Sequence, residues 1–157
     1  CSADSPALEA GWICFLSTFV YACTDGHPLS SCWRQQRTIS SAVRVDGFGY
    51  WSGQDVRVEF RPAPPGNGIV FVRTDAGAAR RIPARVRYRI EVPRRTSLRD
   101  GSVRVDMVEH ILAALGGLRI DNCEVWVDNP EMPGCDGSSL PLMCMGMSQR
   151  GLMELAK

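Results

Sequence analysis

Lysine is nearly missing from this 157-residue chain: seventeen of its eighteen basic side chains are arginine, and Lys157 is the exception. The surplus over acidic residues is a single charge, which excludes a polycation that would cling to nucleic acid by bulk electrostatics. Nine arginines lie between Arg80 and Arg104. They read as the solvated face of strands, with an anion-binding stripe as the alternative, and no aromatic interleaving offers a base-stacking platform. No nucleic-acid partner is expected. Histidine is scarce too, with only His27 and His110. None of the seven cysteines forms a C-x-x-C pair, which leaves a zinc finger or a dithiol redox motif unsupported. Cys123, Cys135 and Cys144 sit in or beside apolar segments and are expected to act as small buried hydrophobes in a reducing compartment. The longest apolar run, WICFLSTFVYAC (Trp12–Cys23), has twelve residues, too few to cross a bilayer as a helix, so stable membrane insertion is not expected.

That run lies in residues 1–33, a leader of doubtful origin that starts on Cys1 and holds four of the cysteines. With no basic residue before the run and no clean small-residue cleavage site after it, translated upstream sequence is expected rather than a signal-peptide core, and the leader is set apart from the folded domain, residues 34–157. From Gln36 the pattern becomes apolar alternation bounded by turns: RTISSAVRVDG, DVRVEFRP and GIVFVRTD, with a Pro/Gly-rich connection at 62–68. ARVRYRIEV (Ala84–Val92) alternates Val86, Tyr88, Ile90 and Val92 with charged residues, which predicts one strand with a wet side. A helix is predicted from Asp106, with the stripe Val108, Ile111, Leu112 and Leu115, ending at Gly116-Gly117. A buried strand is expected at Asn122–Asp128 and a second helix from about Ser138, with Leu142, Met145, Gln149 and Leu152 on it. Strands, then a helix, then a strand and a helix indicate an α+β two-layer sandwich, with helices on one face of a mostly antiparallel sheet.

Inside the first helix stand Glu109 and His110. The plainest reading of Asp106-x-x-Glu109 is a capping box, and a lone helical histidine is most often inert. At about 100° per residue, however, both polar heads turn off the apolar stripe near a helix start, where backbone amides favour an anion. A carboxylate beside an imidazole there suits a general base next to a metal ligand.

The wider pattern carries more. QRTI (Gln36–Ile39), GFGYWSG (Gly47–Gly53), FRPAPPGNGIVFVRTD (Phe60–Asp75), VEHILAALGGLRIDN (Val108–Asn122) and PEMPGCDGSSLP (Pro130–Pro141) occur in the order found in the zinc-dependent UDP-3-O-acyl-N-acetylglucosamine deacetylases of lipid A biosynthesis, which this chain resembles. The resemblance fades after about Leu142. It implies the N-terminal half of a two-domain cytoplasmic amidohydrolase with its active site between the halves. By carry-over Glu109 is the general base and His110 a Zn2+ ligand. The other ligands would come from a C-terminal domain absent here, and the fragment alone is expected to be inactive on its substrate, UDP-3-O-acyl-N-acetylglucosamine. Asp136-Gly137-Ser138 looks like the family's D-G-S turn near the domain interface, with an Asx-type helix start as the alternative. Thr96 lies in a stretch, Arg94–Leu98, that in the family borders the cleft, although arginine and serine replace cysteines. Trp51 stands where the family's glycine turn usually has histidine. The competing reading is a truncated, non-catalytic paralogue acting as a binding or structural module.

Overall fold

The computed structural model describes residues 34–75, 77–144 and 152–155. The leader 1–33, the methionine cluster around Met145 and Gln149 lie outside the described residues. Ten strands and two helices follow in the order β1 (Gln36–Ile39), β2 (Val43–Phe48), β3 (Asp55–Pro62), β4 (Ile69–Arg73), β5 (Arg80–Pro83), β6 (Arg89–Val92), β7 (Arg95–Asp100), β8 (Val103–Asp106), α1 (Glu109–Gly117), β9 (Cys123–Val127), α2 (Leu140–Cys144) and β10 (Leu152–Leu155) among the described residues. The main sheet has the order β2-β3-β9-β4-β5, antiparallel except for β4 beside β9. A parallel pair needs a long crossover. Here that crossover carries the antiparallel β6-β7-β8 sheet and α1.

Period-two alternation builds the core. On β3, Val56, Val58 and Phe60 point inward and are buried, and Val58 and Phe60 face Val127 and Val125 of β9 across the ladder. Ile111, Ala114 and Leu115 of α1 and Leu142 of α2 join the same apolar cluster, which makes the helical layer over the sheet. The fold is the α+β, mostly antiparallel arrangement expected. The opposite face of β3 and β9 is polar: the Arg61 guanidinium lies 3.9 Å over the Trp126 ring, and Glu124 accepts from Trp126 Nε1 at 2.8 Å. The Arg81 guanidinium bonded to Glu124 holds its carboxyl below the ordinary range.

Three sequence expectations are corrected. RTISSAVRVDG is two strands in different sheets, since β1 pairs with β10 and β2 with β3. Ala84–Val92 is not one strand: Val86–Tyr88 is a 3-10 turn with Val86 exposed, because Tyr88 N–H bonds back to Arg85 O and the ladder resumes only where β6 meets β7. Leu152 does not continue a helix, because residues 152–155 find a ladder partner in β1. α1 ends at Gly117 as expected, although neither Gly116 nor Gly117 is the left-handed residue that closes it. That residue is Arg119, at φ 57, with Ile120 N–H bonded to Leu115 O and Arg119 N–H to Gly116 O, a Schellman closure sealed by buried Leu115 and Ile120.

Candidate active site

The start of α1 is set by β8. Asp106 is the last residue of that strand, not a helix cap. Its N–H donates to Pro130 O at 2.7 Å, its carbonyl accepts from Met132 N–H at 3.0 Å, and its buried carboxylate pairs with Arg104 at 3.0 Å. With those groups engaged, the capping box does not form: Val108 occupies the cap position and makes no side-chain cap bond. Met107 turns the chain between strand and helix at φ 60, a left-handed conformation that a non-glycine residue adopts only when its surroundings impose it.

Glu109 instead reaches across to β7. Its Oε2 accepts the Thr96 N–H at 3.0 Å, while Val108 N–H donates to Thr96 O at 3.3 Å, so the backbone of Thr96 clasps the helix start from both sides. No hydrogen bond among the described residues occupies Oε1 of Glu109. Glu109 and His110 are both half-buried, off the face formed by Val108, Ile111 and Leu115, as the helical spacing predicted.

A second carboxylate, overlooked in the sequence, organises the neighbouring loops. Glu131 is buried, and its two oxygens accept the N–H groups of Trp51 at 2.7 Å and Ser52 at 2.8 Å. The GFGYWSG turn is thereby pinned to the PEMPG loop, and Gly134 N–H closes the junction on Phe48 O at 3.1 Å. Gly49 is required here, because a Cβ would lie 2.7 Å from Glu131 Oε2. The signal that could have exposed Glu131 is the pairing of an acid inside a rigid Pro/Gly loop with a glycine turn whose amides need an acceptor. Arg95 was also passed over: its guanidinium lies 5.7 Å over the Trp51 ring.

Asp136 and Ser138 are exposed, and their bonds are those of an Asx-type helix start. Asp136 Oδ1 accepts from Ser138 N–H at 2.9 Å and Oγ–H at 2.8 Å, and Ser138 Oγ accepts Leu140 N–H at 3.2 Å. The Ser138 N–H and hydroxyl hold the Asp136 carboxyl below its ordinary range. The structure thus joins Glu109 to Thr96 by a bond and sets His110 within electrostatic reach of Asp136. Of the cysteines, Cys123 is buried, its thiol pushed up to about 12 by desolvation, and Cys135 is half-buried with its thiol raised by the same cause. Both are free thiols.

The donor set falls short of a complete metal site. Among the described residues no three His, Cys, Asp or Glu side chains converge to hold an ion, and catalytic zinc takes about three protein ligands. His110 is the only histidine among the described residues.

The model of one protein family matches residues 36–157, past the point where the quoted motifs end, and its description is that of a deacetylase: UDP-3-O-acyl N-acetylglycosamine deacetylase, LpxC. The UDP-3-O-acyl-N-acetylglucosamine deacetylase of Myxococcus xanthus is 46% identical over 110 residues, 70% of this chain and 35% of that protein. The Coxiella burnetii protein of the same name is 43% identical over 109 residues, 69% of this chain and 36% of its own length. A bifunctional LpxC/FabZ enzyme of Chlorobaculum tepidum is 42% identical over 106 residues, 68% of this chain and 23% of its own length. The chain belongs to the LpxC deacetylase family. It spans about a third of the length of the first two relatives.

Proposed function

We propose that residues 34–157 form the N-terminal lobe of a zinc amidohydrolase that removes acetate from UDP-3-O-acyl-N-acetylglucosamine in lipid A biosynthesis, with a C-terminal lobe completing the cleft. The observation that carries this reading is Glu109: one oxygen is fixed by the Thr96 amide and the other is left without a partner among the described residues, at the start of a helix whose dipole favours the anion. So held, Glu109 takes the proton of the attacking water. Zinc, when bound, polarises the acetamide carbonyl and acidifies water. His110 is the imidazole donor this chain offers, and the remaining donors come from outside the described residues. Asp136, Ser138 and Thr96 line the border toward the second lobe, with Thr96 acting through its backbone on Glu109. The free thiols suit a reducing, cytoplasmic compartment. No helix among the described residues is long and apolar enough to cross a membrane.

Fusing this lobe to the remaining part of the Myxococcus xanthus relative, about two thirds of its length, tests the reading. Glu109→Ala should keep zinc and lower acetate release by about a hundredfold or more. His110→Ala should lose zinc. Unchanged acetate release in either variant rejects the assignment. The single imidazole among the described residues favours one rival, a lobe that binds the nucleotide sugar without turnover. A fusion that binds UDP and zinc yet releases no acetate would establish it.

A further inference from the structure

Arg95 stands out among the arginines of this chain. Arg57, Arg61, Arg73, Arg81 and Arg104 pair with carboxylates, and Arg95 is one of several arginines with no such pair among the described residues, but it alone among them has a buried polar atom left without a partner. That atom is Nε, whose N–H has no acceptor among the described residues. A desolvated, unpaired guanidinium N–H is costly to keep unless something accepts from it. What holds it is aromatic: the guanidinium sits over Trp51, whose half-exposed ring meets Tyr50 edge-on at 5.5 Å and 79°. The Trp51 backbone is in turn held by Glu131 at 2.7 Å. Arg95 also immediately precedes the amide that grips Glu109.

We infer that Arg95, seated on Trp51, grips the sugar-proximal phosphate of the nucleotide-sugar substrate, an inference that rests on the deacetylase reading above. The geometry of the substrate supports it. In a UDP-linked N-acetylglucosamine the phosphate is borne by C1 and the acetamide by C2, so a cation one residue from the clasp on the base is placed for the phosphate when the acetamide faces Glu109. A guanidinium fork fits two phosphate oxygens, and the Trp51 ring lies against the guanidinium that would supply it.

The test follows the Arg95 Nε–Hε signal by NMR in the 157-residue chain. UDP should shift it, inorganic phosphate should shift it more weakly, and uridine should leave it still. Arg95→Cys should weaken UDP binding about tenfold or more and Arg95→Lys by less, because lysine keeps the charge and loses the fork. A signal unmoved by saturating UDP, or an Arg95→Cys variant that binds UDP like the parent, overturns the inference. The first measurement needs no variant and so stands even where substitution disturbs folding. If the two-lobed fusion releases acetate while the Arg95 signal stays still, this inference falls and the deacetylase reading stands. A fusion with neither acetate release nor zinc overturns that reading whatever Arg95 does.

Discussion

The five-stranded sheet and the three-stranded β6-β7-β8 sheet draw on the same arginine-rich composition but bury different things. In the first, each inward position of β3 and β9 is apolar, and the polar residues between them are paired on the outer face. In the second, Ser97 and Asp106 face one another across the β7-β8 ladder and both are buried. The buried side-chain atoms left without a partner among the described residues, Arg95 Nε, Ser97 Oγ and Asp106 Oδ1, all belong to this second sheet. Of the four left-handed non-glycine residues among the described ones, Arg94 precedes β7 and Met107 precedes α1, while Arg119 closes α1 and Cys135 precedes Asp136. Local cost is tolerated around the candidate site, and a continuous apolar face elsewhere offsets it.

The strongest way to break this contrast is Phe60→Ala. The ring is fully buried between the ladders of β2 and β9, and its loss should cost about 3–5 kcal/mol in urea unfolding. A cost below about 1 kcal/mol would show that the five-stranded sheet is not the stabilising half. Glu131→Ala comes next, since it strands the Trp51 and Ser52 amides and should cost about 2–3 kcal/mol. Hydrogen exchange at those two amides should rise before the global transition, which separates a loosened turn from a weakened core. Ser97→Ala should do least, within about 1 kcal/mol of the parent or slightly stabilising, because it deletes a buried hydroxyl that has no partner among the described residues. A thermal shift matching that of Phe60→Ala would erase the distinction between the sheets.

The parts legible in the sequence were those in which local pattern and tertiary role agree. DVRVEFRP alternates, and β3 covers the same eight residues. Apolar spacing also turned Glu109 and His110 off the core. β7 and β8 went unread because Ser97, Arg99 and Arg104 interrupt any apolar alternation, although Asp100-Gly101 is a hairpin signal and Gly101 does adopt φ 58. The capping box failed for a related reason. Asp106-x-x-Glu109 has the right spacing, but long-range partners took both ends: Pro130, Met132 and Arg104 at Asp106, Thr96 at Glu109. Spacing cannot report competition from residues distant in the chain.

The sequence by itself determined the α+β class, the apolar faces of β3, β9 and α1, and the motif order that marks the family, because these depend on period and residue type within one segment. Only the tertiary structure decided that Thr96 grips Glu109, that Glu131 ties two glycine-bearing loops together, and that Arg95 meets Trp51. Those contacts join residues 13 to 80 positions apart, and a hydrogen bond at 3 Å is settled by where whole strands dock, which no local pattern encodes.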